Sequence, residues 1–321
     1  MKKNLWNEKP YHSLDYELKS RYGEKIYKIA IDAGMTCPNR DGTIGKGGCI
    51  FCSEGGSGDF ASDGTTLCSH PTIAQQLEEG KTYFHDKKIG SRFIAYFQAY
   101  TNTYAPVERL RQLYKEALDE KSVVGISIAT RPDCLPNEVI ALLEELKYQY
   151  PHKFIWVELG LQTIHEEIAA FIRRGYPLSV FEDAFCKLKQ INIPVIVHII
   201  LGLPGEDKQM MLNTCQYLSD LGINGIKLQL LHVLKNTDLA LLYEKKAFEI
   251  LSFEEYIDIV VSCLEVLSPD IVIHRVTGDG PKDLLIAPLW SLNKRNVLNT
   301  LHSQMKERNT WQGRLERRLN T

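Results

Sequence analysis

No stretch of 18 consecutive apolar residues occurs in this sequence; the longest greasy run, Ile191–Leu203, is interrupted by Asn192, Pro194, His198 and Gly202. A transmembrane helix is excluded on that ground. The opening Met1-Lys-Lys-Asn-Leu-Trp6 lacks the apolar centre of a secretory signal, so a cytoplasmic protein with no membrane partner is expected. Net charge is almost absent, −2 over 321 residues, and no global field advertises nucleic acid. Collagen-like and low-complexity stretches are missing, and a composition 44% apolar and 24% charged excludes a disordered chain. Without a secretory signal, the eight cysteines are not expected to form a disulfide framework.

The charge and the cysteines that are present are unevenly placed. Residues 294–318 carry Lys294, Arg295, Lys306, Arg308, Arg314, Arg317 and Arg318 against Glu307 and Glu316, a local excess of five. Such a segment is ordinarily a solvated helix face; phosphate contact is the sharper alternative. Cys68, Cys134, Cys186, Cys215 and Cys263 are scattered and read as small buried hydrophobes. Cys37, Cys49 and Cys52 crowd into sixteen residues and need another explanation.

Short apolar runs alternate with longer amphipathic ones. Ile26–Ile31, Phe93–Phe97, Val123–Ala129, Ile155–Leu161, Val195–Leu201 and Gly225–Leu231 predict buried parallel strands. Helical patterns lie between them near 71–86, 106–120, 136–149, 165–174, 179–191 and 207–221, two of them opened by Pro106 with Glu108 and Pro136 with Glu138. Six βα units imply an α/β protein with right-handed crossovers, either doubly wound or curled as a barrel. After residue 235 the rhythm loosens into helices at 237–246 and 253–267, a strand at Ile271–Val276 and a basic terminal helix. The expected organisation is therefore a core over 1–235 and an extension over 236–321. The Gly-rich loop Gly42–Gly64 leaves the C-terminal end of the first strand, where α/β proteins bind ligands.

That loop reads Cys37-Pro-Asn-Arg-Asp-Gly-Thr-Ile-Gly-Lys-Gly-Gly-Cys49-Ile-Phe-Cys52. Three thiolates can hold three irons of a 4Fe–4S cubane and leave the fourth open to the amino and carboxylate groups of S-adenosylmethionine. A structural zinc site is the other reading, with His70 as a conceivable fourth ligand. Spacing leaves both open; the position after the first strand of a βα series favours the cluster.

Further motifs extend the pattern: Tyr96-Phe-Gln-Ala-Tyr-Thr-Asn-Thr-Tyr104, Thr130-Arg-Pro-Asp133, Val157-Glu-Leu-Gly-Leu-Gln162, Arg173-Arg-Gly175 and Leu201-Gly-Leu-Pro-Gly-Glu206. Thr277-Gly-Asp279 and Ala287-Pro-Leu-Trp-Ser-Leu-Asn-Lys294 follow. With the Cys-x₁₁-Cys-x₂-Cys loop, they resemble the radical SAM superfamily, in its Elongator-catalytic-subunit-like branch and more narrowly the YhcC/YtqA-type family. The resemblance implies a partial (β/α)6 TIM-like barrel with an α/β C-terminal extension, a 4Fe–4S cluster on Cys37, Cys49 and Cys52, and S-adenosylmethionine. The first gap, eleven residues rather than the superfamily's commoner three, fits this branch.

Each pocket residue has a functional and a bland reading. Phe51, between the last two cysteines, takes the superfamily's place against the adenine, or packs under the loop. Thr101 stands where the superfamily has a Gly-rich contact to the methionine amino group. Arg131 can grip a carboxylate in a fork or brace Asp133. Glu158 and Gln162 suit ribose hydroxyls, and a charge inside an apolar strand is costly to bury without a partner. The resemblance assigns the carboxylate of S-adenosylmethionine to one of Arg173 and Arg174, with Arg174 favoured. His198 is either a satisfied core residue or a cofactor neighbour, and Gly202-Leu-Pro-Gly205 lets a ligand approach backbone. Gln229 and His232 are candidates for the substrate side.

For substrate, the resemblance implies the tRNA wobble uridine, with 5-carboxymethylaminomethyl-(2-thio)uridine converted to 5-aminomethyl-(2-thio)uridine. It also implies an electron donor such as flavodoxin or ferredoxin. A base splayed from the anticodon loop would need aromatic stacking, for which Tyr100, Tyr104, Trp290 and Trp311 are available, and phosphates would meet the 294–318 stretch. A radical enzyme acting on a small metabolite or peptide, and a non-enzymatic zinc-bound interaction module, are the competing readings.

Overall fold

The computed structural model describes residues 5–56, 71–83, 90–278 and 280–316. One parallel sheet holds β1 (Tyr27–Ile31), β2 (Phe93–Phe97), β3 (Val123–Thr130), β4 (Phe154–Gln162), β5 (Val195–Leu201) and β6 (Gly225–Leu230), each beside the next. A small antiparallel pair joins β7 (Val233–Leu234) to β9 (Leu285–Ala287). The main sheet ends on β8 (Val272–Arg275), which pairs with β6. Between the strands run α2 (Ile73–Thr82), α3 (Val107–Asp119), α4 (Asn137–Gln149), α5 (Glu166–Phe171), α6 (Leu178–Gln190) and α7 (Lys208–Leu221).

Sequential order with right-handed crossovers places successive helices on one face of the sheet, which curls into a half-barrel. The alternation within each strand then separates two environments. Ile29, Phe97, Ile126, Val157, Val197 and Ile226 face outward into the helix layer, in the largest apolar core. Each such side chain contributes roughly 1.5–3 kcal/mol by leaving water. The concave face is polar midway up, where Lys28, Tyr96, Ser127, Glu158, His198 and Lys227 meet.

The lower end of the lumen is closed by α1 (Leu14–Tyr22), which the sequence pattern did not suggest. Ser13 caps its N-terminus and Gly23, at φ 74°, ends it in the left-handed conformation. Leu18 drops into a second apolar cluster with Ile26, Ile94, Phe154 and Trp156. The C-terminal part adds α8 (Asp238–Glu244), α9 (Phe253–Val266) and α10 (Lys294–Glu307).

Three details differ from expectation. The helix placed at 165–174 stops at Phe171 because Arg173 and Gly175 adopt φ values of 56° and 85°, so Arg173 and Arg174 lie in a loop. The strand assigned to the extension is the seventh strand of the main sheet, pairing Lys227 with Arg275. Cys134, Cys215 and Cys263 are buried as expected, but Cys186 is exposed on α6, off the face that buries Phe181, Phe185 and Leu188. Cys68, His70, Asp279, Arg317 and Arg318 lie outside the described residues. Among the described residues no helix is long and apolar enough to cross a membrane.

Candidate active site

A cavity of about 170 Å³ opens over the C-terminal ends of β2 to β5 and is roofed by the cysteine loop. Cys37, Cys49, Cys52, Phe51, Thr101, Arg131, Glu158, Gln162, Arg174 and His198 all line it, whereas Arg173, Gln229 and His232 do not.

Backbone and side-chain bonds hold the loop over the sheet. Ile50 N–H donates to the Ile172 carbonyl (3.2 Å), and Leu239 N–H to the Ile50 carbonyl (2.9 Å). Asn39 Nδ2 donates to the Arg173 carbonyl at 2.7 Å and points at Cys49 Sγ at 3.5 Å. Arg40 donates to the carbonyls of Cys52 (3.1 Å) and Ser53. The Cys49 thiol is drawn down to about 7 by a hydrogen bond from Cys52, with Arg131, Asn39 and Arg40 helping against burial; that bond and burial push Cys52 up. Among the described residues no three His, Cys, Asp or Glu side chains are gathered closely enough to hold a metal between them. The thiols instead form an open wall of the cavity.

The turn after β2 borders the cavity. Ala99 and Tyr100 both have φ 63°, a strained conformation for residues with a Cβ. Asn102 holds it, its Nδ2 donating to the carbonyls of Ala99 and Ala129 at 3.1 Å each. Thr101 is buried there, its N–H bonded to the Thr36 carbonyl.

The cationic residues are committed within the protein. Arg131 forks onto Asp133 at 2.9 and 2.7 Å, which is the bracing alternative. Arg174 is buried and donates to the carbonyls of Leu161, Thr163 and Tyr176, with Glu166 at 3.3 Å. Arg173 turns outward to Asp238. Phe51 both lines the cavity and packs on the cluster around Ile50, Ile168 and Ile172. The glycines of Gly202-Leu-Pro-Gly205 are not among the residues lining this cavity; at φ 86° and 90° they fit a tight turn against Leu251 and Ile168.

Glu158 is the centre of the concave wall. Oε1 accepts from Lys28 Nζ and Ser127 Oγ, each at 2.7 Å. Oε2 accepts from His198 Nε2 at 2.8 Å and from Lys227. Burial alone would raise its pKa, yet Lys227 and Lys28 hold it well below the usual carboxylate range. Burial and the Lys227 charge lower His198 to about 4, so the imidazole is neutral near pH 7. A neutral ring facing a carboxylate donates through Nε2 and leaves Nδ1 as an acceptor.

Sequence reasoning passed over Lys28 and Lys227. The signal was available: each is a charge inside an apolar strand, the pattern that had singled out Glu158. Gln229, a candidate for the substrate side, accepts from Arg275 at 3.1 Å, and His232 is buried. Of the proposed stacking platforms, Trp290 packs on Phe253 and Tyr256, Tyr104 bonds Thr43 and Trp311 lies partly buried in the C-terminal part, whereas Tyr100 lines the cavity.

With this geometry in place, comparison with known proteins is direct. The Radical SAM superfamily profile matches residues 37–218, and the Radical_SAM C-terminal domain profile residues 223–307. YtqA of Bacillus subtilis (strain 168) is 46% identical over 97% of this chain and 94% of its own. YhcC of Escherichia coli (strain K12) is 35% identical over 91% of each chain. A tRNA uridine(34) acetyltransferase of Methanocaldococcus jannaschii is 26% identical over 192 residues, 59% of this chain and 34% of its own. Elp3 of Methanocaldococcus infernus superposes with a TM-score of 0.65 at 17% identity, covering 89% of this chain and 64% of that one, which establishes the shared fold. The seven-stranded half-barrel and its cysteine-roofed cavity are thus those of a member of the radical SAM superfamily, in the Elp3-like branch of YtqA and YhcC, a family whose cofactors are a 4Fe–4S cluster and S-adenosylmethionine.

Proposed function

We propose that this radical SAM enzyme modifies the tRNA wobble uridine, converting 5-carboxymethylaminomethyl-(2-thio)uridine to 5-aminomethyl-(2-thio)uridine, in the cytoplasm and with flavodoxin or ferredoxin as electron donor. The observation that carries the reading is its similarity to a protein named tRNA uridine(34) acetyltransferase, beside the fold shared with Elp3.

The donor set of the roof suits the cluster. Three soft thiols line the cavity wall, and the guanidinium groups of Arg131 and Arg40 act on Cys49 there, as an anionic iron–sulfide group requires. Cys37, Cys49 and Cys52 would hold it, with Phe51, Thr101, Gln162 and His198 placed toward the bound S-adenosylmethionine. When bound, the pair supplies a radical that takes hydrogen from an unactivated C–H bond, which side-chain acids and bases do not.

The chain's own residues do the rest. Arg131 and Arg174, locked by their internal partners, fix the cavity floor rather than swing onto a ligand. His198 offers an acceptor nitrogen. Tyr100, held by its hydroxyl on the Glu54 carbonyl and beside the Arg40 guanidinium, presents an aromatic surface to a splayed base. Membership in the family displaces the zinc-module reading. The small-metabolite or peptide reading has one observation in its favour: Arg308 and Arg314 of the basic segment are paired with Asp258 and Glu265.

The test is anaerobic incubation of reconstituted protein, reductant and S-adenosylmethionine with tRNA bearing the carboxymethylaminomethyl group. Appearance of 5-aminomethyluridine by nucleoside mass spectrometry is expected. Cleavage of S-adenosylmethionine with an unchanged nucleoside profile would favour a small substrate instead.

A further inference from the structure

The open edge of the half-barrel, between β1 and β8, encloses a second cavity of about 500 Å³. Among the described residues, Lys25, Lys28, His274, Arg275 and Lys294 line it, with Asp15 as the acidic one. Asp15 is already bonded to Lys19 at 3.0 Å and lies 3.7 Å from Lys9. The deeper wall is more unbalanced. Lys28 and Lys227 share one carboxylate, Glu158, and Arg275, whose charge acts on both lysines, bonds the neutral Gln229. Three cations gathered near one anion, with Lys227 buried among them, are unfavourable unless something offsets them. A further polar group is unsatisfied: His274 Nδ1 is buried with no hydrogen-bond partner among the described residues, on the strand that carries Arg275.

Glu158 links this cavity to the one under the cysteine roof. It lines the upper cavity, while its partner Lys28 lines the seam. Were Lys28 drawn away, Glu158 would keep Ser127, His198 and Lys227. The surplus cation is therefore available to a ligand without leaving the carboxylate unpaired.

We propose that the seam cavity is an oxyanion subsite for the substrate, with Lys28 and Arg275 as the contacting cations and His274 as a further polar contact. The inference rests on the tRNA reading above and adds the chemistry that recognises its substrate. Two oxyanions suit it: the carboxylate of the modified base and a backbone phosphate. Glu158 is a positioning residue for Lys28.

The test uses the reconstituted holoprotein and anticodon stem-loop RNAs with 5-carboxymethylaminomethyluridine or its neutral carboxamide. The wild type should bind the carboxylate RNA about tenfold tighter, as expected for a charge-assisted contact. Arg275→Gln and Lys28→Met should erase that preference, and Arg275→Lys should retain it, which separates lost charge from lost folding. If both RNAs weaken equally and the log–log salt slope falls by about one, the oxyanion is a backbone phosphate. Unchanged affinity of both variants for both RNAs would overturn the site.

A second arm needs no RNA. Lys28 Nζ lies 5.2 Å from the Trp156 ring centroid and the His274 ring 5.1 Å from it, so Trp156 reports on both. Titration with N-methylglycine, a small carboxylate, should give a saturable fluorescence change, lost in Trp156→Phe and Arg275→Gln. If no RNA binds but this response persists, the tRNA reading falls and the site stands; absence of the response in the wild type overturns the site.

Discussion

The two faces of the half-barrel are made by the same strands and obey opposite rules. On β4, Val157 and Leu159 point into the helix layer and are fully buried among apolar side chains, whereas Glu158 between them is equally buried among lysines and an imidazole. The outer face is stabilised by area removed from water, which many apolar residues of suitable volume supply. The inner face is stabilised only while each charge keeps its partners. The outer face makes the fold, and the inner face makes the site.

The largest expected effect separates the roof from every other cysteine. Cys37→Ala, Cys49→Ala or Cys52→Ala should abolish the brown cluster chromophore and turnover, whereas Cys186→Ala, on the exposed face of α6, should leave the absorbance unchanged. An intact cluster in all three roof variants would break the ligand assignment.

Next come the two faces of β4. Glu158→Gln strands buried Lys227 and half-buried Lys28 and should cost about 3–5 kcal/mol in urea unfolding. Glu158→Leu with Lys227→Met should recover part of that loss, because the charge and its partner leave together. Leu159→Ala should cost about 2–5 kcal/mol through the cavity it leaves, with no recovery from a change at Lys227. Equal responses of both positions to the Lys227 change would erase the distinction.

A smaller effect is set by pH. Burial raises the Glu206 carboxyl to about 7 from 4.5, so its folded form holds a proton that the unfolded form releases. Its favourable contribution is therefore complete below about pH 4.5 and is lost as pH rises through 7. Glu206→Gln should be more stable than the wild type at pH 8 by about 1–2 kcal/mol and nearly equal to it at pH 4. A difference independent of pH across that range would contradict this.

The smallest effect belongs to the basic segment. Arg308 and Arg314 already pair with Asp258 and Glu265, so Arg314→Gln should shift RNA affinity less than twofold, within the range of surface ion pairs. A tenfold loss in a filter-binding titration would restore that segment to the interface.

What was legible in the sequence follows the same division. Strands such as Phe93–Phe97 and Val195–Leu201 were readable because both ends of each apolar run are punctuated, and the βα order followed from them. The cysteine roof was readable from spacing. By contrast, α1 escaped notice because it is polar and buries only Leu18, and the pair β7 with β9 is too short to carry a period. Lys28 and Arg275 were not legible as neighbours: they stand on the two edge strands of the sheet, which only its curl brings near one another, and no local pattern encodes that. Arg131 and Arg174 show the converse limit, since residue type indicated a ligand grip and tertiary partners had already taken up the guanidinium groups.

The most direct test is the nucleoside profile of tRNA from cells lacking this gene, complemented with either the wild type or Cys52→Ala. The account predicts accumulation of 5-carboxymethylaminomethyl-(2-thio)uridine in the deletion, restoration of the 5-aminomethyl form by the wild type, and no restoration by the variant. An identical profile in all strains, with the wild-type protein still cleaving S-adenosylmethionine, would contradict it.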